Sequence, residues 1–164
     1  MSGICRAVID TNVWVGVFLQ NYVFPPPPKK QFKDILDAFL AGEFIPVYSQ
    51  ETFDELLRIL TTSKDVAQRF RLNPIRAGEF VGLVLTKAGE EVAIAGSMVV
   101  SSDAMDNMFA ETAYVGKVDF LVSNDQDLHE AAVVETLKAV GVRVVWSSTF
   151  RSELRLRREQ DDAT

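Results

Sequence analysis

Hydrophobic and polar residues follow two different periods along the chain, and the period changes from one segment to the next. Short apolar runs are typical of strands that are buried in a parallel sheet. Such runs occupy residues 7–9, 44–48, 91–95, 118–123 and 142–146. Elsewhere apolar residues recur every three or four positions, which is typical of helices. That spacing predicts helices over residues 13–19, 32–40, 50–60, 64–70, 74–88, 103–113, 130–140 and 149–158.

The predicted strands and helices alternate along the whole chain. This order predicts an α/β fold, a three-layer α/β/α sandwich with a central, mostly parallel sheet of about five strands and right-handed crossovers. A chain of 164 residues with 48% hydrophobic residues is long enough to bury one core. Pro46 lies inside the second strand and indicates an edge strand or a bulge. The pattern over residues 96–102 is too short to assign.

Acidic residues directly follow two of the predicted strands. Asp10 comes after the first strand, and Asp125 and Asp127 come after the fourth. Ligands of an open parallel sheet bind beyond the carboxyl ends of its strands, so these acids converge if their strands are neighbours. For Asp10 alone, capping of the next helix is an equally good explanation. The same alternative applies to the neighbouring Thr11 and Asn12.

Other acids lie on predicted helices, where ordinary structural roles compete with chemistry. Asp103 stands at the spacing of a helix N-cap, which is the favoured interpretation. Asp106 lies in the first turn, where the helix dipole favours an anion whatever its function. Glu55 lies off the apolar stripe of its helix, and solvent exposure is the default for glutamate.

Composition and charge exclude several classes of protein. The net charge of −6 argues against binding nucleic acid through bulk positive charge, but not against holding phosphate through metal ions. Cys5 and His129 are the only residues of their types, so an internal disulfide, a zinc finger and a Cys–His nucleophile site are excluded. A Ser-His-Asp triad would need His129, and no nucleophile elbow accompanies it. We expect a cytoplasmic protein without a signal peptide or a membrane span.

Three other features each allow a structural and a functional explanation. Trp14 is assigned to the core, with base stacking as the alternative. The Pro25–Pro28 stretch, followed by Lys29 and Lys30, is an extended loop that serves as a spacer or as an arm toward phosphate or a partner. The arginines of the last helix form a solvated basic face or contact RNA or a partner.

Four motifs, in order along nearly the whole chain, resemble those of PIN-domain nucleases. The first is Val-Ile-Asp-Thr-Asn at 8–12, and the second combines Ser49 with Glu55 and its following Leu56, Ile59 and Leu60. The third is Asp103, Asp106 and Asn107, with Ala104 where one branch of the family has proline. The fourth is Ser-Asn-Asp-Gln-Asp-Leu at 123–128, where the family usually has Thr-Gly-Asp-x-Asp-Leu. The branch that it resembles most contains the toxin components of toxin–antitoxin pairs, alongside the VapC-like ribonucleases.

The resemblance implies one acidic pocket that holds Mg²⁺ or Mn²⁺. Its catalytic and metal-binding residues would be Asp10, Glu55, Asp106 and Asp125. Residues expected to contact the substrate or to support the ligands are Thr11, Asn12, Asn107, Ser123 and Asp127. Hard oxygen ligands suit these ions, and a bound cation can lower the pKa of a water that attacks phosphorus. Since such chemistry needs no histidine base, His129 is expected to be a packed or half-exposed side chain.

The function implied by the resemblance is hydrolysis of RNA phosphodiester bonds by a metal-dependent endoribonuclease. It implies RNA as substrate, a cognate antitoxin protein as partner, a homodimer, and one PIN-like domain over residues 1–150 followed by a helix end and acidic tail over 151–164. A non-catalytic PIN-like module that binds protein or RNA is the main alternative. A phosphatase with Asp10 as nucleophile would normally carry a second Asp two residues later, where this chain has Asn12.

Overall fold

The computed structural model describes residues 3–22 and 30–164, with the side chains of Lys30 and Gln31 left aside. The Pro25–Pro28 loop and Lys29 therefore lie outside the described residues. The strands are β1 (Cys5–Ile9), β2 (Phe44–Tyr48), β3 (Glu90–Glu91), β4 (Phe120–Val122) and β5 (Arg143–Val145). The α-helices are α1 (Thr11–Tyr22), α2 (Lys30–Leu40), α3 (Gln50–Thr62), α4 (Pro74–Val81), α5 (Ala104–Gly116), α6 (Ala131–Lys138) and α7 (Ser147–Asp162). Two π-helical turns (Lys64–Gln68, Gly82–Lys87) and a 3₁₀ turn (Gln126–His129) complete the described elements.

The five strands form one parallel sheet in the order β3-β2-β1-β4-β5. β1 lies at the centre and pairs with β2 on one side and β4 on the other. Its last residue, Ile9, pairs with Val122, the last residue of β4. The residues that follow these two strands therefore leave the sheet side by side, at the edge where α/β proteins bind ligands.

Helices cover both faces of the sheet and divide the core in two. Ala7 and Ile9 of β1 face the larger cluster, which also contains buried residues of α1, α2, α3, α4 and α7. Val8 faces the opposite way, into a cluster formed with α5 and α6. The alternation along β1 explains why its apolar run is continuous, since both of its faces are buried. The three-layer α/β/α sandwich predicted from the sequence is confirmed, and so is the burial of Trp14 in the core.

Several boundaries differ from the sequence-based expectation. The third strand is Glu90–Glu91 instead of residues 91–95. β2 is not an edge strand, but β3 pairs only with Val47 and Tyr48, so Pro46 lies where β2 has no partner on that side. The helix expected over 74–88 changes to a π-helical turn at Gly82. The last helix was expected over 149–158, but α7 begins two residues earlier, at Ser147, and its N-cap, Trp146, makes no side-chain capping bond.

None of the helices in the described part of the chain is both long enough and apolar enough to cross a membrane.

Candidate metal centre

The sheet topology brings the first and fourth motifs together. The backbone N–H of Asp10 donates to the carbonyl of Val122 at 2.9 Å, so the two strand ends stay in contact one residue beyond the ladder. Ser123 follows Val122 directly and is fully buried. Asp10 is only 6% exposed, so its carboxylate lies inside the fold and not on its surface.

Ser123 connects two of the candidate acids. Its hydroxyl donates to Oδ2 of Asp10 at 2.7 Å and accepts the backbone N–H of Asp125 at 3.0 Å. The carboxylate of Asp125 in turn accepts the N–H of Asp127 at 3.0 Å, which begins the 3₁₀ turn. Ser123 can thus orient Asp10 and fix the Asp125 backbone at the same time.

The third motif places a further acid against this pair. Asp106 lies in the first turn of α5 and is 5% exposed. One carboxylate oxygen from each of Asp106, Asp125 and Asp127 can be chosen so that all three lie within 4.8 Å of one another. Asp103 caps α5 by accepting the N–H of Met105 at 2.8 Å, which confirms the capping interpretation for this residue.

Burial and mutual repulsion raise the pKa of two of these acids. For Asp10 the main cause is burial, which raises the pKa to about 6 against the opposing hydrogen bonds, with smaller contributions from Asp125 and Glu55. For Asp106 burial again comes first, followed by the charge of Asp125, and the pKa is also about 6. Carboxylates in such surroundings are unfavourable at neutral pH unless a cation compensates them.

Glu55 lies near the cluster but is not one of the three closest carboxylates. Its side chain is 15% exposed, so the default of a solvent-exposed glutamate is wrong here. Both of its oxygens accept hydrogen bonds from Arg58, at 3.1 and 3.2 Å. The pair spans one turn of α3, and Glu55 would have to leave Arg58, at least in part, in order to take a place at a cation.

Asn107 of α5 holds the loop that precedes the helix. The side-chain oxygen of Asn107 accepts the N–H groups of Val100 and Ser101, both at 2.9 Å, and its amide donates to the Ser101 carbonyl at 3.0 Å. The Ser101 hydroxyl then donates to Oδ2 of Asp106 at 3.4 Å. Asn107 therefore supports the site through the loop, and its three polar contacts are used in doing so.

Glu111 is a second loop anchor that the sequence did not reveal. Its carboxylate is 4% exposed and accepts the N–H groups of Gly96, Ser97 and Met98 at 2.6–2.8 Å. The one available signal was an acid within a buried helical run, between Ala110 and Thr112.

The two remaining candidates are Thr11 and Asn12. Thr11 is buried, and its hydroxyl has no hydrogen-bond partner among the described residues, while Asn12 is exposed. Nε2 of His129 lies 2.8 Å from the carbonyl of Ser123, and its ring stacks on Trp146. His129 is thus a half-buried, packed side chain, as expected.

The donor set fits a hard divalent cation. The three side chains that converge are carboxylates, and oxygen ligands of this type suit Mg²⁺, Mn²⁺ or Ca²⁺ better than softer metals. Burial, with a smaller contribution from neighbouring acids, raises the pKa of Asp10 and of Asp106, so the ionised forms of both carboxyl groups are disfavoured without a cation. A bound cation would supply the missing positive charge.

A parallel α/β sandwich with carboxylates gathered at the ligand-binding edge of its sheet is compatible with a divalent-metal site. The family model described as PIN domain matches residues 6–127, from β1 to the last of the clustered acids. The chain belongs to the PIN-domain family, whose members are generally metal-dependent nucleases. No curated protein matches the chain in sequence.

Proposed function

We propose that the protein is an endoribonuclease that hydrolyses RNA phosphodiester bonds with Mg²⁺ or Mn²⁺. The observation that carries the proposal is the group of Asp106, Asp125 and Asp127 oxygens within 4.8 Å, with the buried carboxylate of Asp10 linked to it through Ser123. A surface cluster of acids without chemistry would not need a buried carboxylate held by a buried serine hydroxyl.

The acids would have different roles, according to their positions in the site. Asp10, Asp106 and Asp125 would hold the cation, with Asp127 at its exposed side and Glu55 orienting water once it leaves Arg58. When bound, the cation would activate a water for attack on phosphorus and stabilise the charge that develops on the leaving oxygen. Ser123 would keep Asp10 in one rotamer, and Asn107 would keep the Ser101 hydroxyl beside Asp106.

Substrate binding would depend on the cation more than on the arginines of α7. The helix begins beside the site at Ser147 and runs away from it, so at 1.5 Å per residue Arg158 lies about 16 Å along the axis. Arg158 pairs with Glu43, and Arg151 pairs with Asp34. These contacts join α7 to α2 and to the segment that follows it, and they favour the structural interpretation of the basic face over contact with RNA.

The toxin role, the cognate antitoxin, the homodimer and the cytoplasmic location are part of the same proposal. They are supported by the likeness of the four motifs to the toxin branch of PIN-domain proteins. The test is expression of the chain in a bacterial host with and without the protein of the adjacent gene. We expect growth arrest with the chain alone, relief by the neighbour, and no arrest with Asp106→Asn.

The nuclease activity is tested with purified protein, single-stranded RNA and Mg²⁺ or Mn²⁺. We expect Asp10→Asn and Asp106→Asn each to lower the cleavage rate at least about 100-fold, since each removes a ligand charge. Asp54→Asn is the matched control, because Asp54 is an exposed acid on α3 that bonds to Gln50. Equal cleavage by wild type and both variants would contradict the proposal, and folded protein that binds no divalent cation would favour the non-catalytic module.

A further inference from the structure

Trp146 is a large exposed aromatic that the proposed chemistry does not use. It follows the last residue of β5 and forms the N-cap of α7. It is 40% exposed, whereas the other tryptophan of the chain, Trp14, is 3% exposed and belongs to the core.

His129 presents the indole ring of Trp146 in a fixed orientation. The two rings are stacked, with centroids 3.7 Å apart and planes within 5° of parallel. Nε2 of His129 is held at 2.8 Å from the carbonyl of Ser123. Because His129 covers one face of the indole, the exposure of Trp146 belongs to the rest of its surface.

The stacked pair lies one strand away from the acids. The N–H of Ser123 donates to the carbonyl of Val145, the residue before Trp146, at 3.0 Å. The N–H of Ser147, the residue after it, donates to the side chain of Asn124 at 2.9 Å. Neighbouring strands are about 4.8 Å apart, so Trp146 stands beside the segment that carries Ser123 and Asp125.

We propose that Trp146 is a stacking platform for an unpaired base of the RNA, next to the phosphate that the acids address. The proposal rests on the proposed ribonuclease function and specifies its substrate as single-stranded, because a base inside a duplex has no free face to stack. Base–aromatic stacking tolerates any base, so the platform positions the strand without reading its sequence. The acidic cluster repels phosphate until a cation binds, and a neutral aromatic surface gives the RNA a contact that does not depend on charge.

Binding is tested by the fluorescence of Trp146 in the Asp106→Asn protein, where cleavage does not interfere. We expect an RNA hexanucleotide to quench and shift the emission, and an abasic hexanucleotide of the same charge to leave it unchanged. In Asp106→Asn/Trp146→Phe the remaining Trp14 is buried, so no change is expected with either probe. Equal quenching by both probes, or no quenching by the RNA, would overturn the platform, and the second result would favour a protein contact at Trp146.

Activity is tested with Trp146→Ala, Trp146→Phe and Leu156→Ala in the otherwise unchanged protein. Leu156 is the matched control, since it is a 53% exposed apolar residue farther along α7. We expect Trp146→Ala to raise KM for single-stranded RNA about tenfold, with kcat little changed, and Trp146→Phe to restore most of the loss. An unchanged KM in a protein that cleaves RNA would contradict the stacking platform and leave the ribonuclease function intact. If the wild type does not cleave RNA, the ribonuclease function is contradicted, and the fluorescence result alone decides whether Trp146 stacks on a base.

Discussion

At the scale of single residues, Glu111 shows how a buried charge can organise a site from outside it. Its carboxylate receives the N–H groups of Gly96, Ser97 and Met98, so the backbone is satisfied without a strand partner. Burial by itself would raise the pKa of Glu111, but these hydrogen bonds, together with one from Ala95, lower it below its usual value. The group is therefore ionised in the folded protein and depends on the loop as much as the loop depends on it.

We expect Glu111→Gln to destabilise the protein by about 1.5–3 kcal/mol at pH 7, because the amide offers one acceptor oxygen and loses the charge. The folded pKa is lowered, so this contribution is present above the unfolded pKa and is lost as the pH falls through the folded value. Urea unfolding at several pH values measures it. Glu135→Gln is the control, as Glu135 is exposed on α6. Equal unfolding midpoints for the two variants would contradict this role.

The sequence predicted contacts between residues that are close in the chain, but it did not predict hydrogen bonds from side chains to distant backbone groups. The Asp103 cap depends on residues two positions away, which the sequence displays. The Glu55–Arg58 pair could also have been read from its spacing of three. The role of Glu111 was not predicted, because its partners are backbone N–H groups 13–15 residues earlier in the chain. Backbone groups do not change the pattern of side chains along the sequence.

At the scale of elements, the parallel sheet was predictable because its three inner strands, β1, β2 and β4, are largely buried and apolar. The third strand was overestimated for a physical reason. After one further bond, from the N–H of Val92 to the carbonyl of Tyr48, the chain leaves the sheet and its N–H groups turn to Glu111. An apolar run marks burial, and burial under a loop gives the same run as burial in a strand.

Helices α1 and α2 approach each other at a glycine. A Cβ on Gly16 would lie 2.6 Å from the ring of Phe32, which is 7% exposed and packed in the core. We expect Gly16→Ala to destabilise the protein by about 1–3 kcal/mol through overpacking, although alanine favours helices. Thermal unfolding followed by circular dichroism measures it.

Gly78 provides the matched helical control for Gly16. It lies within α4, and a Cβ there would meet nothing within 4 Å. Gly78→Ala should therefore raise stability by up to about 1 kcal/mol, the ordinary gain in helix propensity. If both variants were stabilised equally, the contact between α1 and Phe32 would not be the tight one that the structure shows.

At the scale of the whole molecule, the clustered acids at one end of the sheet contrast with an acid that is paired with arginine at the other. Carboxylates gather at the carboxyl ends of the strands, while Arg158 pairs with Glu43 near the start of β2. The net charge of −6 is thus accompanied by a local excess of negative charge where the substrate would bind. The stability of the fold and its affinity for cations should consequently be linked through pH.

The metal-free protein should lose stability as the pH rises from about 4 to 6. The folded pKa of Asp10, about 6, lies above its ordinary value of 3.8, so the folded state holds a proton in this window that the unfolded state has released. A shift of this size corresponds to about 3 kcal/mol at most, measured as the free energy of unfolding in EDTA. Asp106 has a similarly raised pKa, so Asp10→Asn should remove about half of the slope and be more stable than wild type at pH 7.5 without metal. Mg²⁺ or Mn²⁺ should stabilise wild type more at pH 7.5 than at pH 4.5, because protons and cations compete for the same oxygens. An identical pH slope in wild type and Asp10→Asn would show that the buried carboxylate is not the group that couples folding to cation binding.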